Sequence, residues 1–137
     1  KLILQKNFLD DRLIWATNFV TALENNKRGS SVEKATEVDF LTGLSYRFMN
    51  NWSAGLEARN HREFTGYGYG VANHSAWFLG PNIHYATKSW WLTAAWRTQM
   101  PWASGFQDDQ KEVISGGRIY GDEHTRNQFM LKVGVPF

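Results

Sequence analysis

The residues best suited to chemistry lie in two short runs, Glu37-Val-Asp39 and Arg59-Asn-His61-Arg-Glu63. Both place an ionisable side chain at every second residue, the spacing that puts such groups on one face of a β-strand. If the two runs belong to a hairpin in which Phe48 lies opposite Trp52, Asp39 falls opposite His61 and Glu37 opposite Glu63. Arg59 is then one diagonal step from Asp39. A face of this kind has two uses. Rings of charge in a pore select ions and small polar solutes. Alternatively, paired charges of opposite sign fill and neutralise a closed lumen, as side chains do in small barrels.

The histidines raise a second chemistry. His61 and Glu63, two apart on one strand face, have possible metal-ligand spacing, and His74, His84 and His124 supply further imidazoles. With no ligand motif around them, the expectation is hydrogen-bonded lumen or loop histidines. No metal, no cofactor and no catalytic residue is assigned. His74-Ser75 with a distant Glu is faintly similar to the His, Ser and Glu of outer-membrane lipid A deacylases, but the surrounding residues do not match that motif. Asp108-Asp109 and Asp122-Glu123 invite calcium binding or a divalent-ion bridge to lipopolysaccharide. They lack the spacing of a calcium loop and read as solvated loop charge. Gly66-Tyr-Gly-Tyr-Gly70 lacks the Lys-Ser/Thr of a phosphate loop and reads as a flexible aromatic loop tip.

Period-two patterning dictates the elements that position these residues. Val38, Phe40, Leu44, Tyr46 and Phe48 share one face, and Asp39, Gly43, Ser45 and Arg47 the other. After residues 49–51 the alternation resumes in phase, with Trp52, Ala54, Leu56 and Ala58 against Ser53, Gly55, Glu57, Arg59 and His61. The asparagines of that turn suit the left-handed backbone. Pairing Thr87 with Trp90 sets Tyr85 opposite Leu92 and Ile83 opposite Ala94. Pairing Leu9 with Arg12 sets Phe8 opposite Leu13 and Leu2 opposite Phe19. Seven strands follow, at about 1–9, 12–25, 35–48, 52–64, 75–87, 90–101 and 124–137. The segment Val113–Tyr120 is expected to form a loop hairpin rather than an eighth wall strand. Tight turns alternate with long polar connections, the layout of an outer-membrane barrel.

Composition agrees with that layout. The 137 residues amount to one domain or part of one, and Lys+Arg 15 against Asp+Glu 13 leaves a net charge of +2, too even for nucleic-acid binding to be the default reading. Cysteine is absent, which excludes disulfides and thiolate chemistry. No apolar run approaches the roughly 20 residues of a spanning helix. A soluble up-and-down barrel such as a lipocalin also alternates, but its apolar face points inward. Strand length favours lipid instead: soluble strands average about 5–6 residues, well short of those expected here. Aromatic residues also cluster at the strand ends, Tyr46, Trp52, Tyr85 and Trp90 near the tight turns and Phe64, Tyr67, Trp77 and Trp102 toward the long connections. The lumen-lining set is then Glu37, Asp39, Arg47, Glu57, Arg59, His61, Arg97 and Lys132.

The last strand alternates through Phe129, Leu131, Val133, Val135 and Phe137. It resembles the C-terminal signal of bacterial outer-membrane proteins. Residues 5–13, 43–48, 55–64 and 74–81 extend the resemblance to a broad, poorly characterised family of such barrels. What the resemblance implies is a place in the Gram-negative outer membrane and contact with its lipid and lipopolysaccharide. It also implies insertion by the barrel-assembly machinery, with other subunits of an outer-membrane complex as further partners. It implies no enzymatic activity. The expected function is a porin-like pore or transport channel for ions or small polar solutes, and the alternative is a structural or partner barrel with a plugged or occupied lumen. With Phe137 at the periplasm, strand one begins at the extracellular end. An even-stranded barrel does not start there, so the expected fold is all-β, the C-terminal seven strands of a larger or incomplete antiparallel transmembrane β-barrel.

Overall fold

A computed structural model describes residues 1–28, 31–120 and 124–135. In chain order the elements are β1 (Leu2–Phe8), β2 (Leu13–Arg28), β3 (Ser31–Met49), β4 (Trp52–Thr65), β5 (Ala72–Ala86), β6 (Trp91–Gln99), β7 (Ser104–Gly105), α1 (Asp108–Glu112), β8 (Ile114–Ser115), β9 (Arg118–Ile119) and β10 (Asn127–Gly134). The fold is all-β and antiparallel. The main sheet is an uncrossed meander of seven strands, β1-β2-β3-β4-β5-β6-β10, with β7 added beside β5. The hairpin at Val113–Tyr120 lies within the last connection, as β8 and β9.

The three hairpins expected to be tight have the registers that alternation dictates, and β2 and β3 depart from the expected connection over 26–34 by pairing as far as Arg28 opposite Ser31. Leu2 pairs with Phe19, Asp39 with His61, and Tyr85 with Leu92. The turns reach those registers by different means. At the first, Leu9, Asp10 and Asp11 all take left-handed backbone, and the Arg12 amide donates to the Leu9 carbonyl. At the third, the Thr87 hydroxyl accepts from the Ser89 and Trp90 amides. The second departs from expectation. Met49, not Phe48, pairs with Trp52, and the extra residue is absorbed as an irregularity between Arg47 and Met49. Neither Asn50 nor Asn51 has a positive φ. The bulge compensates for the shift, so the register beyond it is undisturbed.

The sheet turns its apolar face outward. Leu4, Trp15, Phe19, Phe40, Leu44, Leu56, Ile83, Trp96 and Phe129 share that face by register, and all are exposed. Toward its tight-turn end, Trp52, Tyr85 and Trp90 form an aromatic cluster with ring centroids 4.7 and 5.2 Å apart. The buried apolar residues gather on the opposite, inner face beneath the last connection. Ala76, Phe78 and Ile119 pack there, with Ala103 and Ile114 against them.

Barrel closure is not found among the described residues. β1 and β10 stand at the two ends of the strand order and do not pair with each other. Seven strands fall one short of the smallest outer-membrane barrels, which have eight.

Gly80 shows how closely β5 and β6 approach. Pro81 offers no amide, and the ladder skips from Leu79–Thr98 to Asn82–Ala95. A Cβ on Gly80 would collide with the Trp96 carbonyl. Gly80→Ala is therefore expected to destabilise the fold by about 1–3 kcal/mol. Urea unfolding of the chain in detergent, followed by tryptophan fluorescence, measures this; an unchanged midpoint would show that the two strands can part without cost.

Candidate functional site

The β3–β4 register builds the site from the strand period alone. Asp39 on β3 faces His61 on β4, and Arg59 reaches Asp39 diagonally. Arg59 grips the carboxylate with a fork, Nε to Oδ1 at 2.7 Å and Nη2 to Oδ2 at 2.8 Å. His61 Nδ1 lies 2.9 Å from the same Oδ1. The Arg59 guanidinium also sits 6.0 Å from the centre of the Phe78 ring. Farther toward the tight turns, Arg97 Nε lies 3.3 Å from Glu57 Oε1 and Asn82 donates to Glu57 Oε2. Asp39 and Glu57 each lie beside a guanidinium, so opposite charges are paired within the face.

All eight expected lumen residues share the inner face by register, but only part of the set comes together. Asp39, Arg59 and His61 form one network, with Glu37 Oε1 4.0 Å from His61 Nε2. Glu57 and Arg97 form another. Arg47 is exposed at the tight-turn end opposite Ser53, and Lys132 is exposed on edge strand β10 opposite Thr93; neither joins these networks among the described residues. Phe129, Leu131, Val133 and Val135 are exposed on the outer face, where Phe129 stacks on Trp96. Phe137, like Asp122 and Glu123, lies outside the described residues.

Several residues that patterning left unremarked prove central. Gln99 is fully buried and clasps Ile119 from both sides, its Oε1 accepting the Ile119 amide and its Nε2 donating to the Ile119 carbonyl. Arg118 Nε donates to the Gln99 carbonyl. These bonds fold the last connection over the inner face. The same connection brings His124 to His74, with their Nε2 atoms 3.0 Å apart, and both rings stand near His61, at centroid distances of 5.3 and 6.0 Å. Three of the four histidines therefore converge, each in hydrogen-bond contact. Glu63 takes a hydrogen bond from Asn73 instead, and His84 bonds the Thr93 hydroxyl far along the strand. A cavity of about 130 Å³ opens beside the cluster, lined by Glu24, Glu37, Arg59, His61, Phe78, His124 and Gln128.

The deacylase-like pairing does not form. His74 points to the inner face, whereas Ser75, one residue on, lies on the other face and accepts from Asn60. The Gly66–Gly70 loop is held by its contacts, with Thr36 donating to Gly66 and accepting from Gly68, and the Tyr69 and Thr21 hydroxyls bonded. In the last connection Lys111 hydrogen-bonds Asp108 and holds its carboxyl below the ordinary range.

Residues 1–137 match the domain family DUF6662, a family of unknown function. This chain belongs to DUF6662. No curated protein and no solved structure matches it. What the DUF6662 chain does must therefore be read from its own inner face.

Removing one partner of a buried ion pair costs about 3–5 kcal/mol. Asp39 and Arg59 keep 18% and 20% of their side-chain surface exposed, so Asp39→Leu is expected near the low end, about 3 kcal/mol. Adding Arg59→Leu should recover part of that loss, because the second change removes the stranded cation. A double-mutant cycle by urea unfolding tests this, and purely additive costs would show that the two side chains do not act as a pair.

Proposed function

We propose that this chain forms the wall of an outer-membrane β-barrel whose inner face lines a pore for ions or small polar solutes. One observation carries the reading: the apolar face of the sheet is the exposed one, and the charged face is the covered one. In a soluble barrel the two would be exchanged. Strand length supports it, since β2 to β5 have 14 to 19 residues and crossing a bilayer at a tilt takes about 9–11. The tight-turn aromatic cluster is placed as an interfacial girdle would be.

In hydrocarbon every backbone group must be bonded, so the edges at β1 and β10 require further strands, from the same protein or from another subunit. The same reading makes outer-membrane lipid and lipopolysaccharide the surroundings, and the barrel-assembly machinery the route of insertion. It assigns no enzymatic step. Solutes would pass along Asp39, Arg59, Glu57 and Arg97, whose paired signs leave a polar surface with little net field.

A second reading, a structural barrel with a plugged lumen, is favoured by the Gln99–Ile119 clasp that folds the last connection across the inner face. Single-channel recording of the full-length protein in planar bilayers separates the two. Discrete conductance steps that change when Asp39 and Arg59 are neutralised are expected for the pore. A folded but silent barrel would overturn the pore reading in favour of the plugged one. The lipid-facing assignment has its own check: Leu44→Arg should cost about 2–4 kcal/mol of folding in lipid vesicles if that residue lies near the bilayer midplane. A neutral outcome would place the face in water.

A further inference from the structure

The convergence of His61, His74 and His124 goes beyond a polar lining. From each residue one ring nitrogen takes part in a set whose members all lie within 4.8 Å of one another. We propose that these three histidines bind a single divalent transition-metal ion, Zn²⁺ or another cation that prefers imidazole, at the long-connection mouth of the inner face. The site stands on its own geometry and does not require the pore.

The hydrogen bonds on the far side of the rings set the tautomers this chemistry needs. His61 Nδ1 lies 2.9 Å from Asp39 Oδ1 and 3.2 Å from Arg59 Nη2. The shorter contact is to a carboxylate that can only accept, while Arg59 already donates to Asp39, so the proton belongs on Nδ1 and the Nε2 lone pair is left for a ligand. His74 is set the same way. Its Nδ1 lies 2.9 Å from Gln110 Oε1, and Gln110 Nε2 donates to Asp109, which fixes the orientation of the amide. His74 therefore donates from Nδ1 and offers Nε2. A carboxylate or carbonyl behind each imidazole is the recurrent outer arrangement of metal-bound histidine. His124 offers its own Nε2, 3.0 Å from that of His74.

The distances are close to those a metal requires. Zn–N bonds of about 2.0–2.1 Å put tetrahedral ligand atoms about 3.4 Å apart, so the widest pair here must close by at most about 1.5 Å. The Glu37 carboxylate, 4.0 Å from His61 Nε2, and the adjoining cavity supply a fourth ligand or a water. His61 and His74 are 5% and 4% exposed, which excludes most competing solvent. Because His61 and His74 belong to adjacent strands and His124 to the last connection, the ion would staple that connection to the wall.

The test is calorimetric titration of the tag-free, full-length protein in detergent with zinc chloride. Saturable binding of about one equivalent is expected. His74→Gln and His124→Gln should each weaken it by more than about 100-fold, and Gln110→Ala, which removes only the outer partner, by about 10–100-fold. His84→Gln, remote from the cluster, should leave it unchanged. His124 lies outside every strand, so its variant keeps the sheet, which the shift in electrophoretic mobility on heating verifies. An absence of saturable binding, or binding that His74→Gln and His124→Gln leave intact, would overturn the proposal. So would equal loss in His84→Gln. A protein that conducts without binding zinc would sink this inference and spare the pore; one that binds zinc without conducting would do the reverse.

Discussion

Antiparallel pairing of β3 with β4 is the constraint on which the inner face depends. The strand period is two, so a slip of one residue between Asp39 and His61 would carry every charged side chain of one strand to the opposite face. Arg59 would then lose its carboxylate and lie on the same face as Phe40 and Leu44 of β3. The cost of stranding those charges is what makes the register unique. The bulge between Arg47 and Met49 matters for the same reason, because it takes up a mismatched turn before the error can propagate.

From that register follows a division of labour between the faces. The outer face has exposed Leu, Phe and Trp side chains, few ion pairs and an aromatic end. The inner face has carboxylates and guanidinium groups paired as ions, Asp39 with Arg59 and Glu57 with Arg97. Such pairs cost desolvation and return it only when the geometry satisfies both partners. The fork between Arg59 and Asp39 meets that condition, and the remaining lone pair of Oδ1 is given to His61. One carboxylate thereby neutralises a cation and orients an imidazole, which links the packing of the face to its chemistry.

The last connection turns a charged sheet into a site. Its residues reach the wall through a fully buried Gln99, and they bring Ile119 onto Phe78 and His124 onto His74. Without this segment the inner face would present only the paired charges of the strands. With it, that end holds a small apolar cluster, three imidazoles and a cavity. The proposed plugged lumen and the proposed metal site make compatible demands on one segment, since both need it held against the strands.

Much of the fold was legible in residue order because alternation is a local signal. Val38 to Phe48 and Trp52 to Ala58 declare their faces without reference to the rest of the chain, and each tight turn then dictates a register. The opposition of Asp39 to His61 and the diagonal reach of Arg59 follow from those two facts. Contacts set by the 100–126 connection were not legible, for no periodicity says where an irregular segment lands. His124 lies 50 positions from His74 and 63 from His61, and no spacing motif joins them. Glu63, two residues from His61, had the better local claim as a ligand partner but turned to Asn73. Sequence by itself determined the strand faces and the hairpin registers, because each depends on a period of two and a short turn. Tertiary structure alone decided which histidines meet, because that depends on how a long connection closes over the sheet.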